Sequence, residues 1–131
     1  MTAAEVGPPA GTGASITGIH HVGLLVSDLD AALRFYRDLL GLPVRTDRPE
    51  FGIPGAWLEL ASEQQLHLFQ GPPPADSGQH LAFATDDLEA AVERLRASGI
   101  KVTTFPRGAI PTQAVAHDPS GNRIELYASP G

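Results

Sequence analysis

Four side chains in this sequence have the chemistry to hold one divalent metal ion: His21, His67, His80 and Glu125. Imidazole nitrogens and carboxylate oxygens suit Zn, Ni, Mn, Co or Fe, and the absence of cysteine argues against a structural zinc cluster. An ion held with open positions would act as a Lewis acid on two neighbouring oxygens of a substrate. The spacing ties the four residues together. HHVGLLVSDLDAAL, residues 20–33, returns as QHLAFATDDLEAAV, residues 79–92. A shift of 59 positions lays His21 on His80, Asp28 on Asp87 and Leu29 on Leu88. After one residue is lost, a shift of 58 lays Gly41 on Gly99 and QLHLF (65–69) on RIELY (123–127), so that His67 falls opposite Glu125. Two modules of about sixty residues each offer one early and one late ligand.

The elements that must position these residues follow from periodicity. Residues 16–26 alternate and are rich in branched side chains, which predicts a strand. Val22, Leu24 and Val26 face one way, while Ile19, His21, Gly23 and Leu25 face the other, where Gly23 leaves room beside the imidazole. Residues 79–85 repeat the split, with Leu81 and Phe83 on the bulky face and His80, Ala82 and Ala84 on the small one. Ser27 with Asp30, and Asp86 with Glu89, read as capping boxes that open helices. Leu29, Ala32, Leu33, Tyr36 and Leu40, then Leu88, Ala91, Val92 and Leu95, recur at helical spacing, with Gly41 and Gly99 placed as C-terminal caps. Strands are expected at 42–46 and 100–105, and hairpins at 56–60 with 65–69 and at 113–116 with 122–127. The turns ASEQ and HDPSGN join these hairpins, and the loops TDRPEFGIPG and PRGAIPT precede them. Each module thus reads βαβββ, and GPPPADSGQ (71–79) is the joint between them. On the late strands Leu66, Leu68, Ile124 and Leu126 take the bulky face, which leaves His67 and Glu125 on the other, with the His residues.

Composition removes several classes. A chain of 131 residues with a formal charge of −6 and nine scattered Lys and Arg has no basic face for nucleic acid or anionic lipid. No stretch approaches the ~20 apolar residues of a membrane span. Residues 1–15 have neither a basic start nor an apolar run, so a mobile N-terminal tail and a cytoplasmic protein are expected.

HHVGLLVSDLDAALRFYRDLLGL, QLHLF, QHLAFATDDLEAAV and HDPSGNRIELY, in that order on a βαβββ repeat, resemble the vicinal-oxygen-chelate superfamily of glyoxalases, bleomycin resistance proteins and extradiol dioxygenases. The resemblance implies an α+β fold: two tandem βαβββ modules, 16–70 and 79–128, forming a curved, half-open barrel-like sheet with helices outside, within one domain over 16–131. It implies a small-molecule substrate and a homodimer. The family's metal positions fall on His21, His67, His80 and Glu125. Bacterial glyoxalase I resembles the order His, Glu, His, Glu, and epimerases His, Gln or Glu, His, Glu. His67 departs from both and leaves the subfamily open. A glyoxalase-like lyase or isomerase would move a proton beside a carbonyl, with Glu125 and Glu59 as the catalytic carboxylates. An Fe(II) dioxygenase would use His21, His80 and Glu125 and leave His67 free. A binding or resistance protein would only sequester its ligand.

The remaining polar residues divide between roles. Glu59 reads either as a solvent-facing strand carboxylate or, beside Trp57 in an apolar pocket, as a carboxylate whose pKa is raised toward that of a general base. His20 is expected against the helix, and His117 at the end of its strand. Arg45 and Arg123 could hold a substrate carboxylate, but read more simply as solvated charge.

Overall fold

The computed structural model describes residues 6–8, 11, 13–107 and 110–129. Much of the expected N-terminal tail, residues 1–5, 9, 10 and 12, lies outside the described residues. Module one runs β1 (His21–Val26), α1 (Leu29–Leu33), a π-helical turn (Arg34–Leu39), β2 (Gly55–Glu59) and β3 (Gln65–Gln70). Module two runs β4 (His80–Thr85), α2 (Leu88–Ala97), β5 (Thr103–Arg107), β6 (Ile110–His117) and β7 (Arg123–Ala128).

The described strands form two sheets, ordered β1-β3-β2 and β4-β7-β6-β5, and not a closed barrel. The first strand of each module lies parallel to its last, and the other pairs are antiparallel. The α+β class and the repeat are as expected, but the first module has lost a strand. Segment 42–46 makes a single bridge, Val44 to Leu58, flanked by Arg45 N–H to Trp57 O at 2.7 Å and Glu59 N–H to Pro43 O at 2.9 Å. Pro43 has no N–H to continue the ladder. β1 starts at His21 and not at residue 16, because its partner β3 begins at Gln65, just after a 3₁₀ turn at Ala61–Glu63.

Both helices are capped one residue away from the expected boxes. Asp28 Oδ1 accepts from Ala31 N–H at 3.2 Å, and Asp87 Oδ1 accepts from Ala90 N–H at 3.0 Å. An aspartate at this position satisfies an orphan amide and adds charge at the helix N-terminus. Gly41 and Gly99 follow the last helical residues at φ +78° and +82°, which side-chain-bearing residues rarely adopt. After α1 the helix widens, with Leu40 N–H bonding Phe35 O at 3.0 Å. The smaller rotation per residue turns the adjacent rings of Phe35 and Tyr36 into one core, where both are buried.

The bulky faces of both sheets contribute to a shared core: Val26, Leu58, Leu66 and Leu68 from one, Ala114, Ile124 and Leu126 from the other, with Val92 and Leu95 of α2. The faces bearing His21, His67, His80 and Glu125 therefore turn away from that core. None of the described helices is long and apolar enough to cross a membrane.

Candidate metal centre

Each module builds half a ligand set by the same device. His67 stands opposite Gly23, and Glu125 stands opposite Ala82, so the early histidine of each module is one step diagonal to the late ligand across a small residue. In module two the result is a contact: His80 Nε2 lies 3.3 Å from Glu125 Oε2. His80 Nδ1 lies 2.8 Å from Gly78 O, a carbonyl that can only accept, so this nitrogen carries the proton. In the neutral ring Nε2 then presents a lone pair to a carboxylate oxygen. Two acceptors at that separation call for a proton or a cation beside them. Glu125 is only 3% exposed. Its Oε1 accepts from Gln113 Nε2 at 2.8 Å, and its Oε2 accepts from Arg123 Nε at 3.2 Å. Arg123 is thus engaged with the carboxylate and is not plain solvated charge.

Module one presents a stack of rings. Trp57 lies on His67 at 4.3 Å between centroids and 8° between planes, and His67 lies on His21 at 4.0 Å and 10°. Parallel planes keep the two imidazole lone pairs from converging, so joint ligation requires one ring to turn. His21 is the exposed one and is free to do so, whereas His67 is wedged against the indole and its Nε2 contacts Gln65 Oε1 at 2.8 Å. Burial, with the charges of His21 and His20 behind it, pushes the His67 imidazole down to about 4. A neutral ring at physiological pH is the state a metal ligand needs.

A pH prediction follows from that shift. The unfolded chain protonates this imidazole near pH 6.5 while the folded chain resists to about 4. The stabilising effect of keeping His67 neutral is therefore present above pH 6.5 and lost as pH falls through that window toward 4. The melting temperature of the wild type minus that of His67→Gln should fall across this interval, and a flat difference would contradict the assignment.

The other sequence candidates fall elsewhere. Glu59 is not set in an apolar wall: it is ion-paired to Arg45, whose Nε and Nη2 also bond Asp47 at 2.9 and 2.7 Å. Trp57 and Glu59 share a face, but the indole is committed to His67. His20 is exposed, not packed on the helix, and its Nδ1 lies 2.9 Å from His21 Nδ1. His117 ends β6 and holds Asp76 of the joint at 2.7 Å. Among the described residues no three of His, Asp and Glu come together as one metal site.

Residues 18–126 match the sequence pattern of the glyoxalase/bleomycin resistance protein/dioxygenase superfamily. The chain belongs to that superfamily. It is 34% identical to a lactoylglutathione lyase of Haemophilus influenzae over 121 residues, 82% of this chain and 90% of that one. Among solved structures it resembles TnmS3, an antibiotic-binding protein from Streptomyces sp. CB03234, at 30% identity and a TM-score of 0.70, covering 88% and 98% of the two chains. A variant of the fosfomycin resistance protein FosX from Listeria monocytogenes, solved with Mn(II) and a dihydroxypropylphosphonic acid, shares the fold at 20% identity and a TM-score of 0.74, covering 87% and 93%.

Three features, two at the site and one in the core, were not singled out by sequence reading. Gln113 was placed only on a strand, though its parity with Val115 puts it on the Glu125 face. Arg48 and Phe51 sit in the Pro- and Gly-bearing loop, where no period assigns a face. Asp118 lay inside HDPSGN, read only as a turn. It is 4% exposed and accepts from Tyr36 Oη at 2.6 Å, from the Ser120 and Asn122 amides at 2.9 Å each, and from Asn122 Nδ2 at 3.0 Å.

Proposed function

We propose that this protein is a divalent-metal-dependent lyase or isomerase of the glyoxalase type, with each centre assembled from His21 and His67 of one copy and His80 and Glu125 of a second. The observation that carries this reading is the approach of His80 Nε2 to Glu125 Oε2 at 3.3 Å, half of a ligand set whose other half lies on the other sheet. Both halves look away from the shared core, which favours completion by a second chain packed face to face. The likeness to a lactoylglutathione lyase and the Mn(II) in a protein of the same fold support both the metal and the chemistry.

A divalent ion bound there supplies Lewis-acid polarisation of two neighbouring substrate oxygens. The chain's residues do the rest. Glu125 takes the proton from the carbon beside the carbonyl and returns it to the same or the adjacent carbon, and Gln113 holds its Oε1 in place meanwhile. Arg123, which neutralises the carboxylate in the metal-free protein, becomes free to meet substrate charge. His67, held neutral, adds no positive charge to repel the ion.

Subunit complementation tests the assembly. His21→Ala and Glu125→Gln should each bind little metal alone. Co-expressed with different tags, their mixed dimer should regain about half the wild-type metal and activity toward hemithioacetals, since one of its two sites is intact. No recovery in a mixed dimer would place all four ligands in one chain and overturn the two-chain reading.

A further inference from the structure

The three-ring stack opens into a cavity of about 480 Å³ lined by His21, Arg48, Phe51, Ile53, Trp57 and Phe69, among others. Its walls are unusual for a protein surface. Phe51 is 57% exposed, Ile53 47% and Phe69 38% in the single chain, so three large apolar side chains stand around the edge of the His21–His67 pair, on the face that the second copy would approach. Apolar side chains gathered in this way mark a binding surface more often than chance exposure.

The one cation in this wall, outside the imidazoles, is Arg48. Among the described residues no carboxylate lies within ion-pair distance of it, as is also true of Arg34, Arg94 and Arg96. Arg48 is nevertheless held in place. Its Nη2 donates to Ile53 O at 3.0 Å, and its Cζ lies 5.1 Å from the centre of the Phe51 ring. The guanidinium passes over Gly55, where a Cβ would stand 2.6 Å from Nη2. A guanidinium has five N–H donors, so one bond to a carbonyl leaves most of them free. A rigid, unneutralised fork of donors matches a planar anion.

We infer that this pocket receives the far end of the substrate: a flat aromatic or conjugated body that lies against Trp57, Phe51 and Phe69 and ends in a carboxylate gripped by Arg48. This deepens the reading of the metal centre in one respect, because the opposite end of such a molecule carries the oxygen pair. Charge complementarity decides the class. A neutral aromatic would leave the guanidinium without a counter-charge, and an aliphatic acid would leave the ring surface uncovered. Arg48 discriminates acids from neutral analogues, and the rings discriminate flat bodies from flexible ones.

Trp57 is the single tryptophan of the chain and lines the pocket, so its fluorescence reports occupancy directly. The probes are naphthalene-2-carboxylate and its neutral carboxamide, titrated against the full-length protein in the presence of chelator. The acid should quench Trp57 and bind at least about tenfold more tightly than the amide. Arg48→Gln should erase that preference by bringing the acid down to the affinity of the amide, and Phe51→Ala should weaken both ligands by about tenfold. Equal affinities of the wild type for acid and amide would overturn the proposal without any variant having to fold. So would undiminished acid binding by Arg48→Gln. Because the titration is metal-free, its failure leaves the metal reading standing, and failure of subunit complementation leaves this one standing.

Discussion

Asp118→Ala should cost about 3 kcal/mol of folding stability, among the larger effects expected of a single polar substitution in a small domain. The carboxylate is buried and meets four donors at once: the Tyr36 hydroxyl, two amides of its own turn and the Asn122 side chain. Removing it orphans the Tyr36 hydroxyl inside the core, where Tyr36 is 0% exposed. Burial first, then the Asp118 charge, push that hydroxyl far up, so it remains a donor at every pH at which the protein is folded. The knot also joins the modules. Asn122 Nδ2 donates to Leu25 O of β1 at 2.9 Å, and the Ser27 amide donates to Ser120 Oγ at 2.9 Å. Urea denaturation should give a smaller loss for Asp118→Asn, which keeps the shape, and a coupling of about 1–2 kcal/mol between Asp118→Ala and Tyr36→Phe in a double-mutant cycle. A cost below about 1 kcal/mol for Asp118→Ala would mean that the turn is held by its backbone alone.

The same residue marks where sequence reading stops. Turn chemistry identifies HDPSGN as a turn, because Asp, Pro, Ser, Gly and Asn each favour one locally. Nothing local says that Asp118 also reaches Tyr36, 82 positions away. The repeat, in contrast, was legible apart from one strand, since it depends on period and face alone. His21, His67, His80 and Glu125 appear on the faces that strand parity assigned them. Parity could not say that the four would not come together as one site among the described residues, because that depends on which bulky faces share a core. The missing strand at 42–46 was a conflict visible in the sequence: branched residues favour a strand there, and Pro43 limits its ladder. Glu59 shows a subtler limit. Its face was read correctly, but the ion pair with Arg45 comes from a neighbouring segment whose register with β2 no pattern reveals.

Glu59→Gln should separate the base from its neighbour, while Glu125→Gln tests the site as a whole. Glu125→Gln removes the only carboxylate from the ligand set, and at least about a hundredfold loss of metal affinity is expected. Turnover should go with it. The metal-free fold should survive, because the amide oxygen can still accept from Gln113 in the place of Oε1 while the NH2 in the place of Oε2 can donate to His80, so that only the Arg123 contact is lost. Glu59→Gln should retain metal and keep turnover within about threefold, since Arg45 already occupies that carboxylate and no substrate proton has to pass through it. The reaction class is read in the same experiment by running metal-loaded protein with a hemithioacetal, a 2-methyl-branched acyl thioester and a catechol in D₂O. Proton transfer beside a carbonyl places solvent deuterium on the product carbon and needs no oxygen. Ring cleavage of the catechol that depends on O₂ and Fe(II), with no deuterium entering either of the other substrates, would assign the ion to oxygen chemistry and remove Glu125 from the role of base. A large loss of turnover in Glu59→Gln with metal retained would move the base to β2, and would require the Arg45 pair to open when substrate binds.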